Sequence, residues 1–333
     1  MAINKKRMVE IIDNFKNAKI LVLGDLILDQ FIWGDVKRIS PEAPVPVVQV
    51  EDESFMPGGM ANVAVALSTL QGCAHAIGVI GDDSWGEILK TELRQRKVNV
   101  KGIVKANNYK TALKTRIVAR HQQVVRVDRE KIKEINRIIL KKIVCYIEQN
   151  IAGINAIIIE DYGKGLIIPE LIKEVVSIAQ KNNVIVTVDP KEEHFSYYHG
   201  VHCLTPNQDE AGKAVGIKIS DKTSLLAAGK KLLSNTSSEA VLITRGEHGM
   251  CLFEKQGKIT HIPTMAQEVF DVSGAGDTVI AVFTLAIACG ASFLEAAYIS
   301  NYAASVVVGK IGVAVCSYEE LIDRIFATKE INK

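Results

Sequence analysis

The sequence predicts an α/β protein built on a mostly parallel sheet with helices on both faces. Three observations predict it. Short apolar runs rich in β-branched residues occur at Ile20–Leu23, Ala76–Ile80, Ala156–Ile159, Val184–Val188 and Val241–Thr244. Near-continuous apolar strands of that length are buried on both sides, as parallel strands are. Stretches with helical spacing separate them, at Met60–Leu70, Trp85–Arg96, Ile132–Gln149, Leu171–Lys181, Asp209–Val215 and Thr278–Cys289. The chain has 333 residues, 48% of them hydrophobic, which suffices for one large core.

Taken in order, Gly72 and Gly290 follow helical runs where C-terminal caps are expected. Two regions break the rhythm. Gln30–Val50 holds β-prone pieces around Ser40-Pro41-Glu42-Ala43-Pro44-Val45-Pro46, and Lys110–Asp128 alternates with basic residues at 114, 116, 120 and 126. Both read as strands that leave the main sheet to form a small lid, or as edge strands, where proline is equally at home. No repeat, low-complexity tract or linker interrupts residues 1–333, so a single domain with lid strands from about 30–50 and 110–128 is expected.

Composition narrows the function. Formal net charge is +2 with both signs interleaved, which argues against a nucleic-acid partner. The densest basic stretch, Lys131 to Lys142, reads as the solvated face of a helix. Six cysteines (73, 145, 203, 251, 289, 316) include no Cys-x-x-Cys pair and read as small buried hydrophobes in a reducing compartment. The N-terminus lacks a signal-peptide pattern, and the longest apolar run, Val279 to Cys289, is too short for a bilayer. A cytoplasmic protein without membrane attachment is expected.

Asp271-Val272-Ser273-Gly274-Ala275-Gly276-Asp277-Thr278 then carries the chemistry. A glycine turn opens a helix and sets a carboxylate in its first turn. Helix N-termini attract anions through unpaired N–H groups, so a carboxylate there makes sense as a base beside a held phosphoryl group. A capped helix with a glycine turn would look the same.

A second glycine motif, Pro57-Gly58-Gly59-Met60-Ala61-Asn62-Val63-Ala64, precedes this one by more than two hundred residues. The pair resembles the two motifs of the ribokinase-like (PfkB) carbohydrate kinases, with Ser273 where many members have threonine. The resemblance implies a three-layer α/β sandwich with a small β lid, and ATP and Mg²⁺ as cofactors, with K⁺ left open. A narrower likeness extends over Gly24–Asp29, Arg38–Val47, Asp161–Gly165, Asp189-Pro190-Lys191, Leu204–Asn207 and Val307–Lys310. These segments resemble the kinases that phosphorylate D-glycero-D-manno-heptose 7-phosphate at the anomeric oxygen, a step towards ADP-heptose and the lipopolysaccharide core.

By that resemblance Asp277 is the base, and the backbone N–H groups of Gly274, Ala275 and Gly276 form the anion hole. Asn207 and Glu210, an Asn-x-x-Glu pair, face the nucleotide, with Glu210 in the Mg²⁺ shell; the same spacing also reads as a capping box. Thr244, Arg245 and Gly246 lie along the nucleotide, with Asn301 and Lys191 as further candidates. Asp25, Asp29, Gly58, Gly59 and Asn62 bind the sugar. The substrate's own phosphate needs cations, and Lys114, Arg116, Arg120, Arg126 and Lys164 are the candidates, with Arg116 and Lys164 foremost. Pairing of two lids into a homodimer is expected, because uncovered lid edges invite association. Rival readings are another sugar kinase of the same fold or a non-catalytic sugar binder. A dehydrogenase is excluded because no Gly-x-Gly-x-x-Gly follows the first strand.

Overall fold

The computed structural model describes residues 4–120, 122–266, 268–310, 312 and 314–327. The first half runs α1 (Lys5–Asp13), β1 (Lys19–Gly24), β2 (Leu26–Ile39), β3 (Pro46–Gly59), α2 (Met60–Thr69), β4 (Cys73–Gly81), α3 (Ser84–Gln95), β5 (Asn99–Ala106), β6 (Ala112–Ala119), β7 (Gln122–Arg129) and α4 (Arg137–Asn150). The second runs β8 (Ala156–Glu160), α5 (Pro169–Lys181), β9 (Ile185–Asp189), β10 (Cys203–Leu204), α6 (Gln208–Val215), α7 (Lys222–Thr236), β11 (Ala240–Thr244), β12 (Met250–Glu254), β13 (Ile259–Ile262), α8 (Ala275–Ala288), α9 (Phe293–Val307) and α10 (Tyr318–Ala327).

Nine strands form one sheet in the order β13-β12-β11-β10-β9-β8-β1-β4-β5. All pairings from β11 to β5 are parallel, and β12 and β13 add an antiparallel edge. Strand side chains alternate between the faces. Ile20 and Val22 join α1, α2, α8 and α9 in one core, while Leu21 and Leu23 join α4, α5 and α7 in the other. The expected three-layer sandwich is therefore present. The order reverses beside β1, where the chain runs outward to β4 and β5 and then returns to β8. Open α/β sheets bind ligands at the carboxyl ends of strands flanking such a switch point.

The lid is a four-stranded sheet in the order β3-β2-β6-β7. Its strands reach beyond the expected limits, because β2 follows β1 after Asp25 alone and β3 runs directly into α2. β7 is exposed along its whole length.

Other sequence expectations need correction. The helix placed at Ile132 begins at Arg137, where the Asn136 side chain accepts the N–H groups of Ile138 and Ile139. Residues 131–136 are non-helical, and Ile135 N–H instead donates to the Gly165 carbonyl. At the end of α2 the left-handed position is Gln71 (φ +70°), not Gly72, whereas Gly290 (φ +85°) follows α8 as expected. Cys73 and Cys145 are exposed, so only part of the cysteine set is buried. Among the described residues no helix is long and apolar enough to cross a membrane.

Candidate active site

The turn before α8 is built by its own residues. Gly274 is the N-cap with φ +77°, a left-handed conformation costly for any residue with a Cβ. Its carbonyl accepts both the N–H (3.0 Å) and the hydroxyl (2.9 Å) of Thr278. The Asp271 carboxylate braces the turn, accepting from the N–H groups of Ser273 (2.8 Å) and Gly312 (3.2 Å). Ala275, placed in the anion hole by the sequence, donates its N–H to the Val272 carbonyl at 3.2 Å and lines a larger cleft. Gly276 faces open space at the helix tip.

Asp277, in the first turn of α8, is buried. Its Oδ2 accepts from Asn62 Nδ2 and its Oδ1 from the Tyr162 hydroxyl, each at 2.7 Å. Burial raises its carboxyl above the ordinary range, and these two donors oppose that rise without cancelling it. Asn62 thus orients the carboxylate and also lines the cavity beside it. Tyr162 had no assigned role in the sequence reading. Its loop is held rigidly: Asp161 accepts from Gly163 N–H (2.8 Å), His194 Nδ1 (2.6 Å) and the Tyr198 hydroxyl.

On one side of Asp277 lies a cavity of about 210 Å³ lined by Asp29, Gly58, Gly59, Asn62, Lys114, Arg116, Tyr162, Gly274 and Asp277. Gly58 is required there, since a Cβ would sit 2.2 Å from Asp29 Oδ2. Arg116 pairs with Asp29, and its guanidinium lies 5.3 Å from the centroid of the Phe31 ring. Asp25 is not in this cavity. Its carboxylate accepts from the N–H groups of Tyr162 (3.1 Å), Lys164 (3.0 Å) and Leu166 (3.3 Å), so it anchors the 161–166 loop. Burial outweighs those donors and lifts its pKa to about 6. Lys164 is also elsewhere, its ammonium bound to Glu130 at 2.7 Å. Arg120 pairs with Asp35 and Arg126 with Asp128, both away from the cavity. Lys114 and Arg116 are the cations that remain.

On the other side opens a larger cleft of about 860 Å³ that includes Asn207, Thr244, Arg245, Gly246, Val272, Ala275, Gly276 and Asn301. Asn301 is buried and donates to the Pro263 carbonyl at 2.6 Å. Arg245 Nε donates to Gln208 at 3.0 Å. Asn207 and Glu210 do form the capping box: Asn207 Oδ1 accepts from Glu210 N–H at 3.0 Å, and Glu210 Oε2 from Asn207 N–H at 2.8 Å. Burial raises the Glu210 carboxyl, opposed by the Asn207 N–H and by the charge of Lys191, whose stem lies along Gly163.

Next to Asp277 the strand ends supply a cluster of carboxylates. Ligand atoms of Glu160, Asp189 and Asp277 lie within 4.8 Å of one another. Glu160 and Asp189 are the last residues of neighbouring strands β8 and β9. Both oxygens of Glu160 are buried without a hydrogen-bond partner. Burial and like charges, including that of Glu210, raise the Glu160 and Asp189 carboxyls far above their usual range. An oxygen-only set in which Glu160 has no donor fits a hard divalent cation such as Mg²⁺. The sequence signal was available, because both acids close an apolar run at the carboxyl end of a parallel strand.

The two cavities flank one turn, with Gly274 and Asp277 lining the first and Ala275 and Gly276 the second, an arrangement suited to transfer between two ligands, and comparison with known proteins agrees. Residues 17–320 match the model of the pfkB family carbohydrate kinases. The chain is 43% identical over 319 residues to the bifunctional protein HldE of Geobacter metallireducens, covering 96% of this chain and 65% of that protein. It is 44% identical to the protein of the same name from Aliarcobacter butzleri, covering 92% and 64% respectively. The chain thus spans less than two thirds of the length of these curated relatives. Among solved structures, phosphofructokinase-2 from Escherichia coli in complex with potassium superposes with a TM-score of 0.77 at 21% identity, covering 93% of this chain and 98% of that one. Ribokinase from Arabidopsis thaliana complexed with ribose and ATP gives 0.73 at 18%, covering 93% and 99%. Fold, paired cavities and family match converge: the chain is an ATP-dependent carbohydrate kinase and belongs to the pfkB family.

Proposed function

We propose that this kinase transfers the γ-phosphoryl group of ATP to the anomeric hydroxyl of D-glycero-D-manno-heptose 7-phosphate, giving the 1,7-bisphosphate on the route to ADP-heptose and the lipopolysaccharide core. The observation that carries the reading is the cavity in which Lys114 and Arg116 face Asp29 and Asp277. It offers cations for a substrate that already bears phosphate, beside a base for a hydroxyl. The extensive identity with HldE proteins supports the choice of sugar.

In this reading Asp277 takes the proton of the attacking hydroxyl as the oxygen–phosphorus bond forms and ADP leaves. Each carboxylate oxygen keeps a lone pair beyond those used by Asn62 and Tyr162. The N–H groups around Gly274 and Gly276 hold the phosphoryl oxygens. Asp29, Gly58 and Gly59 hold the sugar, and Thr244, Arg245, Gly246, Asn207, Asn301 and Lys191 line the nucleotide's path. Glu210 would hold Mg²⁺, which when bound neutralises charge on the phosphate oxygens. K⁺ dependence is a separate question that a KCl titration of the rate answers.

Tyr162→Phe is expected to lower kcat by about tenfold, with KM for ATP unchanged, because the base loses one orienting donor. The donor also favours the ionised base, so the acid limb of the rate profile should move to higher pH in this variant. An unmoved limb and unchanged kcat would show that the hydrogen bond has no kinetic role.

The reading includes a single domain, a cytoplasmic location where ATP is supplied, and a homodimer joined through the lid. Trp33, Ile39, Val50 and Val125 of the lid are exposed, which supports burial against a second copy. Sedimentation at micromolar concentration is expected to give a dimer that Val125→Lys weakens. A monomer would remove the lid from the assembly.

A further inference from the structure

We propose that Glu160 and Asp189 form a protein-held site for a hard divalent cation, filled before nucleotide arrives. The inference deepens the proposed function and rests on it for the assignment of the adjoining cleft to a nucleotide.

The argument begins with strand register. Glu160 and Asp189 face each other across the parallel β8–β9 pair, so their side chains leave the sheet on the same side. Like charges in such a position repel. Asp277 and Glu210 add further negative charge from two other elements, the first turns of α8 and α6. Neither Glu160 nor Asp189 joins an ion pair among the described residues.

The hydrogen bonds then separate the members of the cluster. Both Asp277 oxygens accept strong donors, and Asp189 Oδ1 takes a weak one from Thr205 at 3.3 Å. Glu160, which is fully buried, receives none at either oxygen. An unpaired buried carboxylate is costly, and either a proton or a cation must compensate it. Asp189 is only partly buried, which gives a cation a way in. Two strand-end carboxylates held by the sheet supply two anchors, and Mg²⁺ or Mn²⁺ keeps water on its remaining positions. Glutamine at 160 would preserve the shape and remove the charge.

The test uses Mn²⁺ alone, without ATP or sugar, followed by electron paramagnetic resonance and by thermal unfolding. The wild-type chain is expected to bind about one Mn²⁺ and to melt at higher temperature with it. Glu160→Gln should weaken binding by about tenfold or more, the size of effect expected for loss of a metal-site partner. In metal-free buffer the same variant should melt no lower than wild type, because a buried charge has been removed. Asp189→Asn should also bind more weakly. Absence of Mn²⁺ binding by the wild type would overturn the proposal without any variant. Equal binding by Glu160→Gln would overturn it too, and would mean that Glu160 simply carries a proton. Persistent Mn²⁺ binding with no turnover of any sugar phosphate would instead remove the functional reading and leave the cation site standing.

Discussion

Asp277→Asn is expected to lower kcat by about 10²- to 10⁴-fold, the range supplied by a positioned general base. Nucleotide binding should persist, since the cleft on the far side of α8 is lined by other residues. The amide is isosteric and can still meet Tyr162, but its nitrogen would oppose the Asn62 amide across the present 2.7 Å contact. Some loss of stability is therefore expected as well, and a melting curve separates it from the kinetic effect.

The sign of the pH dependence follows from the same carboxylate. Only ionised Asp277 accepts a proton, and burial raises its pKa in the folded protein. Activity should be full above that raised value and fall as pH drops through it. The acid limb should lie above the ordinary carboxylate value of about 4. A limb at or below that value would contradict the assignment of Asp277 as base.

Arg116→Ala is expected to raise KM for the sugar phosphate by about 10- to 150-fold, the loss of a charge-assisted hydrogen bond worth roughly 1.5–3 kcal/mol. KM for ATP should change little, because Arg116 lines the other cavity. Stability should fall too, since Asp29 would lose its charged partner. Arg116→Lys should restore the charge but not the planar fork, giving partial rescue. If stability falls while the sugar-phosphate KM is unmoved, Arg116 serves only to hold Asp29. Parallel measurement with Lys114→Ala would then locate the phosphate contact.

Much of this arrangement was legible in the chain. The parallel strands announced themselves because burial on both faces makes each a nearly unbroken apolar run, as at Ala156–Glu160. The turn at Gly274 was readable because a left-handed N-cap demands glycine. The helix α7 was harder, as Gly229 sits mid-run. In the fold that glycine admits the Phe253 ring, whose Cζ would lie 2.2 Å from an added Cβ. Apolar spacing misled at Ile132, which is exposed, because a helical period can continue into chain that no core receives.

Side-chain allegiance was the less legible part. Asp25 and Asp29 are four residues apart, yet one points at backbone N–H groups of the 161–166 loop and the other into the cavity. Spacing cannot reveal this, because the partners of Asp25 lie more than 130 residues away. Lys164 was similarly indistinguishable from Arg116 until Glu130 was seen to take its charge. Tyr162 was missed for the opposite reason. It looks ordinary in sequence and matters only because β8 ends beside the first turn of α8.

The central claim is the identity of the acceptor, and parallel assays of ATP-dependent ADP release test it most directly. Heptose 7-phosphate, fructose 6-phosphate and ribose would be compared, with Asp277→Asn as control. Strong turnover with heptose 7-phosphate alone, lost in the variant, is the predicted result; turnover that prefers fructose 6-phosphate or ribose, or that survives in Asp277→Asn, would contradict it.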